Sequence, residues 1–154
     1  MTLLGLRMTM NDKRKSTGAG LVVVQNRGGK LHVLGLEHQG EYDFPKGQRE
    51  EGETDIDCAR RECWEEASIS DVVILPATPL KLEDRLTLFL ATSSQQAHIM
   101  ANPKTGHFEH EKVRWFPLDG DFSEFKGYLQ VACLWAKQCI QMFDMQDMIE
   151  DEKW

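Results

Sequence analysis

The order of patterns along the chain of 154 residues, strands, a helix, more strands and a second helix, predicts one α/β domain with a sheet layered between helices. A β-branched run with a hairpin turn opens the series, and two stretches with apolar residues at i, i+3 and i+4 supply the helices. No shift in composition divides the chain, and its length suffices for a sizeable core.

Residues 19–25 form the β-branched run, opened by Gly18 and Gly20, and residues 30–37 follow across Asn26-Arg27-Gly28-Gly29, a hairpin signal. Residues 40–52, rich in Gly, Pro and charge, are expected to form a loop. Thr54, followed after two residues by Asp57, matches a capping box for the first helix, whose Ile56, Ala59, Cys63 and Ala67 recur at helical spacing and would face the sheet. Residues 72–75, 86–92 and 113–116 are later strand candidates, with Pro76, Pro79, Pro103 and Pro117 in the links. Asp121-Phe122-Ser123-Glu124 can cap a last helix with Phe125, Tyr128, Leu129, Ala132, Ala136, Cys139, Ile140 and Phe143 on its apolar face. Residues 1–16 read as a flexible arm in which Lys13-Arg14-Lys15 is solvated, and residues 144–154 as a frayed acidic tail.

On the first helix Glu62, Glu65 and Glu66 stand at i, i+3 and i+4, so three carboxylates crowd one face and repel. A hard cation such as Mg²⁺ removes that penalty. A merely solvated acidic face would explain these glutamates, but neither Glu53 nor the spacing of Gly47 and Arg61. The pattern Gly-x5-Glu-x7-Arg-Glu-U-x-Glu-Glu-x-Gly-U, with U a bulky aliphatic residue, belongs to the Nudix hydrolases, and residues 47–69 resemble it. Cys63 replaces the first aliphatic and Ser68 the late glycine, both at packing or turn positions. The resemblance implies the Nudix α/β/α sandwich, a mixed sheet between helices, over residues 17–143.

Hydrolysis of a phosphoanhydride needs an activated water, a clamp on phosphate oxygens and relief of charge on the leaving phosphate, all of which metal supplies. The resemblance implies Mg²⁺, or Mn²⁺ in its place, held by Glu62, Glu65, Glu66 and the Gly47 carbonyl. One of the glutamates or a loop carboxylate would act as base. Arg61 is expected to pair with Glu53 and orient the loop.

Two flanks bear on substrate. Phe44-Pro45-Lys46-Gly47 and the segment from Glu109 and His110 to Arg114 and Trp115 resemble the asymmetric diadenosine tetraphosphate hydrolases, as does Phe125-Lys126. That group implies a polyphosphate partner for Lys46 and a further metal-binding or basic role for Glu109. Glu109 also reads as an exposed strand-edge acid, and His107 and His110 as ordinary loop histidines. Tyr42, Phe89 and Tyr128 are the candidate adenine platforms, although each also suits a core. Trp115 and Trp135 are expected in the core, whereas Trp64 lies off both the apolar and the acidic faces.

The net charge of −7 and pI near 5.2 argue against a broad nucleic-acid surface. RNA 5′-end or cap hydrolysis would then need a local patch of Lys13, Lys15, Lys104 and Lys112. ADP-ribose and diphosphoinositol polyphosphates are further possible substrates. A domain that only senses nucleotide would be expected to lack box acids, and all are present. Cys58, Cys63, Cys133 and Cys139 show no CxxC spacing and are expected as reduced, buried thiols, which suits a cytoplasmic location, or a nuclear one. Residues 1–10 do not read as a signal peptide, and no stretch is expected to reach membrane-spanning length.

Overall fold

The computed structural model describes residues 17–153. Strands β1 (Gly18–Arg27) and β2 (Lys30–His38) form the expected hairpin, with Val24 opposite Val33 and Arg27 opposite Lys30. β1 lies in the middle of the sheet, antiparallel to β2 and parallel to β7 (Leu86–Thr92). The short strands β3 (Glu41–Asp43) and β8 (Val113–Pro117) extend the sheet from β2. β4 (Lys46–Gln48) pairs with the start of β1, and β5 (Val73–Ile74) and β6 (Leu80–Leu82) pair with β7. One parallel pair among antiparallel ones makes the sheet mixed, as expected.

Side chains of a strand alternate between faces, and β1 uses both. Ala19, Leu21 and Val23 pack with Cys58, Ala59, Cys63 and Ala67 of helix α1 (Asp55–Ala67), while Val22 and Val24 pack with Ala132, Cys133, Ala136 and Ile140 of helix α2 (Gln130–Met142). The sandwich of helix, sheet and helix follows from that alternation. Thr54 caps α1 by accepting from the Asp57 amide at 3.1 Å. Ser68 ends the helix in the left-handed region, φ 63°, with its amide on the Trp64 carbonyl at 3.0 Å.

Three expectations are corrected. The stretch 40–52 is not all loop, because β3 and β4 form within it. The last helix does not start at Asp121-Glu124, where Asp121 instead caps a turn through the Ser123 amide at 2.8 Å. The Tyr42 amide donates to the Glu124 carbonyl and the Lys126 amide to the Tyr42 carbonyl, so these backbone groups are committed to the sheet edge and α2 begins only at Gln130. Nor is the tail frayed: Met145 and Ile149 are buried in the α2 core, and Asn26 exchanges backbone hydrogen bonds with Glu150 and Glu152. Residues 144–153 thereby belong to the folded unit. Lys13, Arg14 and Lys15 lie outside the described residues. No helix among the described residues is long and apolar enough to cross a membrane.

Candidate active site

The loop from β4 to α1 and the exposed side of α1 meet the segment that carries Glu109. Glu62, Glu65, Glu66 and Glu109 line one small cavity, with Met100, Asn102 and His110 completing it. Gly47 faces the acids closely: a Cβ there would lie 2.2 Å from Glu62 Oε2, so only glycine lets the Glu62 carboxylate lie against the β4 backbone. Gly20 plays the matching part on β1, where a Cβ would come within 2.4 Å of the Lys46 Cβ. The Gly47 carbonyl accepts from the Cys58 thiol at 3.5 Å.

Arg61 organises the acids. Its Nε and Nη2 grip Glu53 at 2.6 and 3.0 Å, Nη2 reaches the Gln48 carbonyl at 3.0 Å, and Nη1 lies between Glu62 at 3.1 Å and Glu65 at 3.2 Å. Those bonds hold the Glu53 carboxyl below its ordinary range. Glu66 is buried and accepts from the Lys46 amide at 3.1 Å. Burial, then the negative charge of Glu62, pushes its pKa up to about 9. Burial also raises Glu62, with Glu65 adding to the effect.

Among the described residues no three acidic, histidine or cysteine side chains converge as a ready-made metal cage, because Arg61 Nη1 occupies the space between Glu62 and Glu65. The donor set nonetheless fits a hard divalent cation. The four carboxylates that line the cavity are all oxygen donors, the kind a hard divalent cation takes. Glu62, Glu65, Glu66 and Glu109 would hold that cation after Arg61 gives up Glu62 and Glu65.

Next to this cavity is a second, of about 270 Å³, lined by His38, Asp43, Lys46, Glu66, Glu109, His110 and Lys126. A third, of about 380 Å³, runs past Gly47 to Arg85 and Tyr128. Lys46 borders both, with its ammonium 6.0 Å from the centre of the Tyr128 ring. Burial lowers the Lys46 pKa, but Asp43 and Tyr128 outweigh it and leave it raised. Glu109 is held by the Asn102 amide at 2.5 Å.

The remaining expected residues are placed unevenly. Tyr128 is exposed at 54 %, whereas Tyr42 is buried edge-on to Phe116, 4.8 Å between ring centres. Phe89 packs toward the α1 layer. His110 is buried beside His38, 6.1 Å between rings, while His107 is exposed, so the two form no ligand pair. Trp64 is half exposed on α1; Trp115 is partly buried under Arg27, and Trp135 partly buried against the α2 core. All four cysteines are free thiols, and Cys139 alone is only partly buried. Sequence reasoning missed Asp43 as a site residue and gave Lys126 no role beyond its place before the last helix. Nothing in the box spacing points to them, because contact between them spans β3 and the approach to α2.

A mixed sheet between two helices, with the β4–α1 loop and α1 bringing glutamates to one cleft, is an α/β/α sandwich with an acidic site. The NUDIX domain model matches residues 14–124, and the chain belongs to the Nudix family. No curated protein matches the chain. Among solved structures, a Caenorhabditis elegans Ap4A hydrolase binary complex is similar with a TM-score of 0.62 at 20% identity, over 81% of this chain and 96% of that one. The NUDIX domain of Shewanella oneidensis NrtR, complexed with ADP ribose, is similar with a TM-score of 0.59 at 14% identity, over 93% and 99%. The Escherichia coli dihydroneopterin triphosphate pyrophosphohydrolase is similar with a TM-score of 0.57 at 16% identity, over 83% and 97%. At such identities the likeness is one of fold.

Proposed function

We propose that this protein hydrolyses diadenosine tetraphosphate asymmetrically to ATP and AMP with a divalent cation, Mg²⁺ or Mn²⁺. The observation that carries the reading is Lys46, whose amide holds Glu66 while its ammonium stands 6.0 Å from the Tyr128 ring centre and borders two cavities. One residue thereby sets an ammonium between the acid cluster and an exposed aromatic ring.

When bound, the cation would supply an activated water and neutralise charge on the phosphate chain. Glu62, Glu65, Glu66 and Glu109, with the Gly47 carbonyl, would hold it, and one of these carboxylates takes the proton from water. Arg61 fixes Glu53 and keeps the loop closed on α1. Lys46 receives the chain beyond the cleaved bond, and Tyr128 offers its face to a base. Tyr42 and Phe89 have no part in this arrangement, since neither borders the cavities.

RNA-end hydrolysis is disfavoured by pairing of the nearby cations, because Lys104 is bonded to Glu50 and Lys112 to Glu37. A panel with Mg²⁺ comparing diadenosine tetraphosphate, ADP-ribose, diphosphoinositol phosphates and capped RNA tests the reading. The expected result is the highest kcat/KM for diadenosine tetraphosphate. A clear preference for any of the others overturns the substrate.

A further inference from the structure

Asp43, at the end of β3, is buried to 4 % exposure and has three partners. Its Oδ1 accepts from the Phe44 amide at 2.8 Å, and its Oδ2 accepts from the Lys126 ammonium at 2.9 Å and pairs with the Lys46 ammonium at 3.2 Å. The two ammoniums share one carboxylate oxygen, while Glu66 and Glu109 also line the cavity beside them. An ammonium has three donors, so each lysine keeps others to direct into the cavity between Asp43, Glu66, Glu109 and His110. Lys46 comes from β4 and Lys126 from the bend before α2, and both ammoniums meet at the Asp43 carboxylate. Ammoniums otherwise repel at such range.

We infer that Lys46 and Lys126 form a two-cation receptor for the phosphate chain of the substrate and that Asp43 is the positioning residue that holds them as a pair. This deepens the proposed function, because it rests on the cleft being a phosphoanhydride site, but it does not depend on which bond is cut or whether metal is bound. A flexible lysine binds phosphate as a point charge and gives up side-chain freedom to do so. Fixing both heads on a buried oxygen removes that loss before the ligand arrives.

Titration calorimetry with inorganic tripolyphosphate, in chelator at constant ionic strength, separates this from a purely structural ion pair. Wild type is expected to bind. Lys126→Gln and Lys46→Gln should each weaken binding by about tenfold, whereas Lys137→Gln, away from the cavity, should leave it unchanged. Asp43→Asn is the discriminating variant. It removes a negative charge, so simple charge balance predicts tighter binding, whereas loss of positioning predicts binding weakened by about fivefold or more. Failure of wild type to bind, indifference to Lys126→Gln, or tighter binding by Asp43→Asn overturns the inference. Should Asp43→Asn not fold, the two lysine variants still decide whether the receptor exists. Because no turnover is read, an altered substrate preference in the hydrolysis panel leaves this result standing, and the reverse holds as well.

Discussion

Arg61 and Glu53 meet fork to fork, Nε to Oε2 at 2.6 Å and Nη2 to Oε1 at 3.0 Å. A planar guanidinium makes both bonds and still aims Nη1 at Glu62 and Glu65, which a lysine cannot do. Arg61→Lys is therefore expected to behave like a loss. We predict a destabilisation of about 1–3 kcal/mol by denaturant unfolding, with kcat falling more than KM changes. Wild-type stability in Arg61→Lys would mean the fork does not order the loop.

Ser68 closes α1 at φ 63°, where a non-glycine residue costs roughly 1–2 kcal/mol. Glycine relieves that strain at some cost in unfolded-state entropy. Ser68→Gly should stabilise the fold by about 0.5–1 kcal/mol in thermal unfolding, with unchanged kcat. A lower Tm would show that the serine hydroxyl makes a contact worth more than the strain.

Much of this arrangement was legible in the sequence because it depends on local periodicity. Glu62, Glu65 and Glu66 share a face through helical spacing alone, and the Arg61–Glu53 pair matches the family pattern. Tyr42 shows the limit: an aromatic beside Pro45-Lys46 suits a base platform or a core equally well, and only the packing of Phe116 and Phe125 against it decides. Asp43 and Lys126 stayed hidden because their contact joins residues far apart in sequence. The tail misled because an acidic composition says nothing of Met145 and Ile149, which anchor it.

The pH dependence of stability should expose Glu66. Its folded pKa, about 9, lies above the roughly 4.3 of an unfolded glutamate. Between those values the metal-free folded state binds the extra proton, so stability falls as pH rises through the window and levels off above it. In chelator, Tm measured from pH 6 to 9 should decline more in wild type than in Glu66→Gln. Parallel curves would place the proton elsewhere.

Metal should reverse that trend by favouring the ionised acids. Binding to the native state alone stabilises by about 2.7 kcal/mol at a hundredfold excess over Kd. Mg²⁺ should thus raise Tm in wild type and do so far less in a Glu65→Gln, Glu66→Gln double variant. Hydrolysis should vanish in EDTA and return with Mg²⁺ or Mn²⁺, and Glu66→Gln should cost on the order of 10²-fold in kcat. Full activity in EDTA would end the metal mechanism.

Lys46 connects chemistry to substrate, so its loss should lower kcat/KM for diadenosine tetraphosphate. Lys46→Ala is expected to cost about 1–3 kcal/mol of transition-state stabilisation. An unchanged kcat/KM would remove Lys46 from the phosphate path.

The most direct measurement is the fate of oxygen when diadenosine tetraphosphate is hydrolysed in ¹⁸O-labelled water with Mg²⁺ and the products are weighed by mass spectrometry. Attack on the phosphate farthest along the chain from the bound adenosine breaks its bond to the neighbouring bridging oxygen, so ATP leaves unlabelled and AMP carries one ¹⁸O. Two ADP molecules, or label in ATP, would contradict the account.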